Sequence, residues 1–325
     1  MKLFSVNQIR AWDKYTIESG SITSAQLMER AAMACSKWIS SHYPADTSFM
    51  IISGKGNNGG DGLAISRMLK EKFSDVSTYV IEDGPPTSDF DVNFDRLIKV
   101  SEIYAILEKE DLPAIANCVV IDAIFGTGLS KKPAKLYKDL IRHINANAHD
   151  IISIDMPSGL YADKATDHAL AINATTTLSF QTFKLAFLIP DNATFCGKVV
   201  ILDIGLSEKY AQENQSEYEM VDLRMIQDIY RKRNDFSNKG DFGYACLVAG
   251  SYGMMGAAVL SSLACLRSGV GKISSLIPSC GYEILQSVVP EAMCTTSGTQ
   301  IVKNIKDFQK YDVIGIGPGI GRHVS

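Results

Sequence analysis

The chain has 325 residues and a formal net charge of −4, and 46% of its residues are apolar. Because this length exceeds the usual size of a single hydrophobic core, we expect two domains. The negative charge gives the chain no electrostatic attraction to nucleic acid or to an anionic membrane, so we expect neither as a partner.

The opening residues and the cysteines predict a cytoplasmic protein. The sequence MKLFS runs straight into polar side chains such as Asn7 and Arg10, and it lacks the long apolar core of a secretory signal. No uncharged apolar run reaches the roughly 18 residues that a membrane span needs. The seven cysteines are odd in number and scattered, which is typical of reduced side chains.

Residues 7–43 have a helical pattern. Ser24 is placed to cap a segment that carries Leu27, Ala31 and Trp38 on one face. Because this segment precedes the first predicted strand, we expect it to form an appended helical arm.

The next part of the chain alternates between predicted strands and helices. Amphipathic stretches of helical length lie between several apolar runs, as at 62–73 and 135–146. Strands without strict alternation that are separated by helices predict a parallel sheet covered on both faces. The predicted fold class is α/β, with a Rossmann-like, doubly wound and mainly parallel sheet. The predicted strands are 49–52, 76–81, 119–124, 151–154, 176–180 and 199–204.

A second α/β pattern follows a polar stretch. Residues 207–238 are predicted to be an exposed connector between a first domain at 1–206 and a second at 239–325. Because the second pattern stops abruptly, we expect a truncated domain with exposed apolar edges. Its predicted elements are strands at 244–249, 272–278 and 313–316 and a helix at 255–268.

The sharpest local motif is GKGNNGGDG at residues 54–62, which follows a predicted strand and opens a helix. Gly54, Gly56 and Gly59 have G-x-G-x-x-G spacing, and in this context backbone N–H groups and the helix dipole face an anion. Asp61 would repel a pyrophosphate unless a cation or a donor-rich ligand lies between them. The alternative is a glycine-rich turn in which Asp61 caps the helix.

A second polar loop, DAIFGTGLS at 122–130, follows another predicted strand. Gly126, Thr127 and Gly128 offer backbone amides and a hydroxyl to a phosphate, and Asp122 adds a negative charge. The alternative for Asp122 is a capping role in a turn.

A third loop, IDMPSGL at 154–160, places Asp155 at the end of an apolar strand, where proline and glycine restrain it. Such a directed carboxylate is a candidate general acid or base, and a turn-capping aspartate is the alternative. Lys184 comes just after a later strand. It either reaches the same edge or is a surface lysine.

In a parallel sheet these three loops lie at one edge, so Asp61, Asp122 and Asp155 are expected to surround one ligand. Clustered carboxylates beside phosphates require neutralisation, which predicts a bound cation. No histidine or cysteine lies at metal-ligand spacing, which disfavours zinc. Oxygen atoms of Asn58, Asp122 and Ser158 suit a hard cation.

These loops resemble, in order, the signatures of the bacterial bifunctional NAD(P)H-hydrate repair enzymes, whose first part is the YjeF N-terminal epimerase domain. The matching segments are residues 54–62, 122–128 (DAIFGTG) and 153–159 (SIDMPSG). With LMERA at 27–31, the resemblance covers residues 1–206. It implies the YjeF N-terminal fold and an isomerase that interconverts the R and S forms of hydrated NADH and NADPH.

The resemblance also implies roles for individual residues. Asp155 would be catalytic and would contact the substrate, while Asn58, Asp122 and Ser158 would hold a potassium ion. A homodimer is implied as well. The other substrate-binding residues would be Asn57, Asn58, Gly59, Gly60, Asp61, Gly126, Thr127, Gly128, Leu129, Ser130, Lys131 and Lys132.

The second part resembles the opening of the ribokinase-like, ADP-dependent dehydratase domain of the same family. The resemblance rests on GSYGMMGA at 250–257 and GIGPGIG at 315–321. It implies that Ala257 and Gly319 touch the hydrated cofactor. Because the family's catalytic aspartate and most of its nucleotide site would follow residue 325, we expect no ADP-dependent dehydration by this chain alone.

Two other functions stay open. One is a nicotinamide or flavin oxidoreductase with Glu82 or Asp83 on the ribose, which Asp61 and the two further glycine loops disfavour. The other is a non-catalytic ligand-binding or scaffold module of the same fold, which the polar loop residues disfavour. The sequence does not distinguish NADH hydrate from NADPH hydrate.

Overall fold

A computed structural model describes residues 1–129, 133–166, 170–305 and 307–321. The chain forms two compact units, Met1–Asp228 and Ile229–Ser325. Residues 207–228 of the predicted connector therefore lie within the first unit, and the domain bounds proposed from the sequence stay a prediction.

The first unit is built around a seven-stranded sheet in the order β4-β3-β2-β5-β6-β7-β8, in which every neighbouring pair is parallel. Through Asp228 the elements are β1 (Lys2–Leu3), α1 (Val6–Gly20), α2 (Ser24–His42), β2 (Phe49–Ser53), α3 (Asn57–Leu69), β3 (Val76–Ile81), α4 (Ser88–Leu97), β4 (Tyr104–Ile106), β5 (Val119–Ala123), α5 (Lys135–Asn147), β6 (Ile151–Ile154), β7 (Thr176–Phe180), α6 (Ala193–Cys196), β8 (Lys198–Leu202), α7 (Glu208–Glu213), β9 (Tyr218–Glu219) and α8 (Leu223–Ile229), which crosses the boundary.

This strand order confirms the predicted Rossmann-like, doubly wound sheet. The order reverses between β2 and β5, and ligands of such sheets bind in the crevice at that reversal. The strand β4 was not predicted, because Tyr104 and Ala105 are exposed at the sheet edge and no apolar run marks it.

Helices cover both faces of the sheet. Alternate residues of β2 divide between two cores: Phe49 and Ile51 pack with α2 and α3, whereas Met50 and Ile52 pack with α5. Central parallel strands are buried on both faces, so their sequences read as continuous apolar runs. This is why the strands could be predicted without strict alternation.

The helical region at the N-terminus consists of two helices with separate caps. Thr23, not Ser24, caps α2, because its side chain accepts a hydrogen bond from the backbone of Gln26 in a capping box. Helix α2 buries Ala32 and Cys35 in the core beside the sheet. It is therefore a covering layer of the fold, and the expectation of an appended arm was wrong.

The segment after β8 folds back onto α1 and β1. The Lys2 ammonium donates to the carbonyls of Ala211 (2.8 Å), Gln212 (3.1 Å) and Asn214 (2.6 Å) at the end of α7. A cation at a helix C-terminus satisfies carbonyls that lack helical partners. The indole of Trp12, a buried residue of α1, donates to the Ser207 carbonyl (2.8 Å), so the segment after β8 holds α1 in place.

The second unit contains a four-stranded parallel sheet in the order β12-β11-β10-β13. As expected, Val313 and Ile316 on its edge strand β13 are exposed. No helix within the described ranges of either unit is long and apolar enough to cross a membrane. The elements are β10 (Tyr244–Val248), α9 (Met255–Arg267), β11 (Lys272–Ile277), α10 (Tyr282–Val288), β12 (Met293–Thr296) and β13 (Val313–Ile316).

Candidate active site

A cavity of about 930 Å³ lies where the strand order of the first sheet reverses. The loops after β2 and β5 and residue Asp155 after β6 form its inner wall, and α1 contributes a further side. Of the three aspartates expected to surround one ligand, Asp61 and Asp155 line this cavity, whereas Asp122 does not. This volume is within the usual range of small-molecule sites.

Asp155 occupies the residue directly after β6 in a left-handed backbone conformation, with φ of +65°. Non-glycine residues rarely adopt this conformation, and when they do they are concentrated at functional sites. Hydrogen bonds maintain it: the Asp155 N–H donates to the Leu178 carbonyl at 2.7 Å. The carboxylate accepts from the Thr127 N–H at 3.2 Å, which ties it to the loop after β5.

Lys184 is the charged partner of this carboxylate. Its ammonium lies 2.6 Å from Asp155 Oδ1 and also donates to Ser179 Oγ (2.5 Å) and the Phe180 carbonyl (3.2 Å). The lysine side chain is 1% exposed, so the surface alternative for Lys184 was wrong. A buried ammonium with three acceptors and an opposite charge holds the Asp155 carboxyl in one orientation.

Asp122 lies behind the cavity and is fully buried. Its carboxylate accepts from Ser153 Oγ (2.7 Å), Ser158 N–H (2.9 Å), Ser158 Oγ (2.5 Å) and Ile124 N–H (3.3 Å). Burial raises the pKa of Asp122, and these hydrogen bonds oppose that shift. Asp122 thus joins the loop after β5 to the loop after β6.

Asn58 is a buried side chain at this site that lacks hydrogen-bond partners among the described residues. It is 8% exposed, yet both its amide oxygen and its amide nitrogen lack hydrogen-bond partners within the described part of the chain. Buried polar groups of this kind are normally satisfied by an ion, a water or a ligand. The amide oxygen of Asn58, the carboxylate of Asp122 and the hydroxyl of Ser158 are oxygen donors of the type that a hard cation prefers.

Two more carboxyls line the cavity without hydrogen bonds or ion pairs to the described residues. Burial, followed by the charge of Asp155, raises the pKa of Asp61 on α3 well above its usual range. Burial and the Asp155 charge also raise the pKa of Asp13 on α1 to about 7, against an opposing effect of Lys184. The cavity therefore combines an ion-paired carboxylate with two carboxyls whose pKa values are raised by burial.

The glycines of the first loop have different tasks. A Cβ at Gly59 would lie 1.7 Å from the Gly54 carbonyl oxygen, and one at Gly60 would lie 2.8 Å from Met28 Sδ. Gly59 is required for close packing against the backbone, whereas the neighbour of Gly60 is the end of a flexible methionine side chain. Neither glycine is among the residues that line the cavity. The residues of the predicted substrate set that do line it are Asn57, Asn58, Asp61, Gly126, Thr127, Gly128, Leu129 and Asp155. Ser130, Lys131 and Lys132 lie outside the described residues.

One contact bears on the oxidoreductase alternative. The Lys55 ammonium binds the Glu82 carboxylate at 2.7 Å, so Glu82 is engaged by the glycine loop instead of being free for a ribose. Lys55 also accepts a hydrogen bond at its carbonyl from the Thr87 N–H. These contacts fix the loop to the segment between β3 and α4.

In the second unit, Ala257 and Gly319 are close together. A Cβ on Gly319 would lie 2.8 Å from the Ala257 side chain, and Ser251 Oγ donates to the Gly319 carbonyl at 2.7 Å. Both residues follow strands, β10 and β13, between which the order of the second sheet reverses. Their predicted contact with a ligand stays a prediction.

Sequence reasoning missed Asp13 altogether. It belongs to no motif and is separated by 142 positions from Asp155, whose charge acts on it. The helical pattern of residues 7–43 placed Asp13 on a helix, but only the packing of α1 beside the sheet edge gives it a place in the site.

A parallel α/β sheet with polar loops around a cavity at its switch point defines a Rossmann-like small-molecule-binding protein. Residues 24–186 match the family described as YjeF-related protein N-terminus, and residues 245–325 match NAD(P)H-hydrate dehydratase. The chain belongs to the YjeF-related family, which confirms the resemblance identified from its three loops.

Individual relatives agree with this. An NAD(P)H-hydrate epimerase of Limosilactobacillus fermentum is 32% identical over 60% of this chain and 93% of its own length. A bifunctional NAD(P)H-hydrate repair enzyme of Thermofilum pendens is 28% identical over 99% of this chain and 63% of its own length. The corresponding enzyme of Coxiella burnetii is 27% identical over 98% of this chain and 65% of its own length. The chain thus spans a little under two thirds of these bifunctional relatives.

The crystal structure of yeast ynu0 has a fold similar to that of a large part of this chain. Its TM-score is 0.56 at 19% identity, with 69% of this chain and 98% of the yeast chain covered. At this identity the likeness concerns the fold alone.

Removing the Lys184 charge should destabilise the protein strongly. We expect Lys184→Met to lower the free energy of unfolding by about 3–5 kcal/mol, because it leaves the Asp155 carboxylate buried and unpaired. Chemical denaturation measures the change. Lys37→Met, at an exposed lysine of α2, is the matched control and should stay within about 0.5 kcal/mol of the parent. Adding Asp155→Asn to Lys184→Met should recover part of the loss, and an equal loss in single and double variants would contradict the pairing.

Proposed function

We propose that the first unit is an NAD(P)H-hydrate epimerase, which interconverts the R and S forms of hydrated NADH and NADPH. One observation carries this proposal: Asp155, which is ion-paired with Lys184, lines a cavity large enough for a nucleotide. The cavity lies where the strand order of the sheet reverses. A relative with 93% of its length covered bears the name NAD(P)H-hydrate epimerase, which supports the same reaction.

The chemistry of the substrate explains why a carboxyl is needed. The hydrate carries a hydroxyl on the ring carbon beside the ring nitrogen, so that this carbon is a hemiaminal. Loss of the hydroxyl as water requires a proton at its oxygen, while the nitrogen lone pair forms a C=N bond. Addition of water to the other face of the ring restores the hemiaminal with inverted configuration. A carboxyl that gives and takes protons accelerates both halves of this sequence.

The remaining loops would bind the rest of the substrate. The loop of Gly126, Thr127 and Gly128 borders the cavity, and its backbone amides suit phosphate oxygens. Asn57, Asn58 and Asp61 border it at the start of α3, where the helix dipole favours an anion. Asp61 in its neutral form would add a hydrogen-bond donor instead of a repelling charge.

We also propose that potassium is the cation of this site, held by Asn58, Asp122 and Ser158. When bound, the ion would balance the buried Asp122 charge and satisfy the Asn58 amide oxygen. It would stabilise the two loops that Asp122 connects, and with them the position of Asp155. No proton transfer depends on it.

For the second unit we propose a part in ADP-dependent dehydration of the S form, with Ala257 and Gly319 touching the hydrated cofactor. The match of residues 245–325 to the family described as NAD(P)H-hydrate dehydratase supports this role.

The epimerase proposal is tested by supplying the R form of the NADH hydrate and following its conversion to the S form by chromatography. We expect conversion by the parent chain and a loss of about 100-fold or more in Asp155→Asn, because the amide neither gives nor accepts the proton. Asp95→Asn, at an exposed carboxylate of α4, is the matched control. Absence of conversion by the parent chain would overturn the function, and full activity of Asp155→Asn would overturn the assigned residue.

The potassium proposal predicts a selective effect of the ion. Replacing sodium with potassium at constant ionic strength should raise the thermal unfolding temperature of the parent chain. Asn58→Ala should abolish that difference because it removes one oxygen ligand. Differential scanning fluorimetry measures both effects without any activity readout. An equal response to the two ions in the parent chain would contradict a potassium site.

The dehydratase proposal predicts that enlarging Ala257 blocks the second activity alone. In a chain that carries a complete dehydratase domain, Ala257→Phe should abolish ADP-dependent consumption of the S form and leave epimerisation unchanged. Gly256→Ala is the control, since a Cβ at Gly256 meets no atom within 4 Å. Normal dehydration by the Phe variant would refute the assigned contact.

A further inference from the structure

Helix α1 contributes a carboxyl that no sequence motif identified. Asp13 lines the cavity, is half-buried, and forms no hydrogen bond or ion pair with the residues that the structure describes. The charges of Asp155 and Lys184 both act on it, so it lies within electrostatic reach of the buried pair. A desolvated carboxyl without a partner is costly, and such groups are retained mainly where a ligand uses them.

Other side chains of the same cavity indicate that a ligand completes it. Asn58 is 8% exposed and both of its amide atoms are unpartnered among the described residues. Asp61 is 9% exposed and likewise has no hydrogen-bond partner in the described ranges. Asn58 and Asp61 belong to α3, whereas Asp13 belongs to α1. The unpartnered polar groups of these two helices therefore border the same cavity.

The two carboxyls reach the cavity from different elements. Asp155 comes from the carboxyl edge of the sheet, after β6, and Asp13 comes from α1. Epimerisation of a hemiaminal removes a hydroxyl from one face of a ring and adds water to the other. One carboxyl fixed by Lys184 cannot approach both faces without moving, whereas carboxyls on two elements can each serve one face.

We propose that Asp13 is a second catalytic residue of the epimerase, which exchanges a proton with the ring hydroxyl from α1 while Asp155 exchanges one from the sheet edge. This inference rests on the proposed function of the first unit.

The steps balance in atoms and charge. Protonated Asp13 gives its proton to the hydroxyl oxygen, the carbon–oxygen bond breaks, and the ring nitrogen lone pair forms the C=N bond as water leaves. A water molecule then adds to the other face, the C=N electron pair returns to nitrogen, and the water proton passes to the Asp155 carboxylate. The proton returns from Asp155 to Asp13 through solvent before the next turnover. In the reverse reaction the two residues exchange roles.

The surroundings of Asp13 suit this role. Burial and the negative charge of Asp155 raise its pKa to about 7, and the positive charge of Lys184 limits the rise. Asp61 on α3 also faces it, and Arg10 and Lys14 on its own helix line the same cavity. A carboxyl with a pKa near neutrality is able to act as an acid and as a base at physiological pH.

Kinetics of Asp13→Asn test the proposal, with the NADH hydrate as substrate. We expect kcat to fall about 100-fold or more and KM to stay within about threefold, because the amide keeps the shape but transfers no proton. The unfolding temperature at pH 8 should stay equal or rise, since a desolvated carboxyl is removed. Asp13→Glu should restore part of kcat, and Asp95→Asn should match the parent. A parent-like kcat in Asp13→Asn would overturn the role of Asp13 and leave the epimerase intact.

The pH profile supplies a readout that a structural role would not move. The direction that begins with proton transfer from Asp13 needs Asp13 in its protonated form. Because the equilibrium constant of the epimerisation does not change with pH, kcat/KM has the same pH dependence in the opposite direction. The parent kcat/KM should therefore decline in both directions as the pH rises through about 7, where Asp13 loses its proton. Asp13→Asn should lack this decline. If Asp13→Asn does not fold, the pH profile of the parent chain tests the proposal. A parent kcat/KM that does not decline near pH 7 would overturn it. An inactive parent chain overturns the proposed function, and the role of Asp13 with it.

Discussion

The arrangement of the first unit depends on keeping one ammonium ion, that of Lys184, buried beside the Asp155 carboxylate. A charge taken out of water is stable only with a counter-charge and enough hydrogen bonds. Here the ends of two neighbouring strands supply them: Asp155 follows β6, and Ser179 and Phe180 close β7. Asp155 makes this pair from a left-handed backbone conformation, a strained geometry that is concentrated at functional sites.

Behind the pair, Asp122 gives the loops their fixed positions. Four hydrogen bonds to one buried carboxylate leave it little freedom, and they connect the loop after β5 with the loop after β6. In front of the pair, α1 is fixed by the Trp12 indole and by the Lys2 ammonium at the end of α7. The cavity is therefore bordered by two independently anchored elements, which suits chemistry that needs groups on two sides of a ring.

The two units use the same construction. In each, a parallel sheet reverses its strand order, and a glycine-rich loop lies on either side of the reversal. Strand ends expose backbone N–H groups there, and small residues let a ligand approach the backbone closely. In the first unit a Cβ at Gly62 would meet Ala123 and Ser53 at 2.5 Å, so α3 also needs a glycine to approach the sheet. The glycines of such loops thus serve both packing and binding.

The sequence by itself predicted six of the seven strands of the first sheet, the three loops and the position of Asp155 at the end of a strand, because local residue patterns mark these features. Apolar runs mark strands buried on both faces, and glycine, proline and aspartate mark the turns that end them. Only the tertiary structure decided the burial of Lys184, the edge strand β4 and the place of Asp13. Each of these depends on which distant segment packs nearby, as Asp155 lies 29 positions from Lys184. A local sequence pattern cannot predict contacts between residues that are far apart in the sequence, because the whole folded chain sets burial and charge partners.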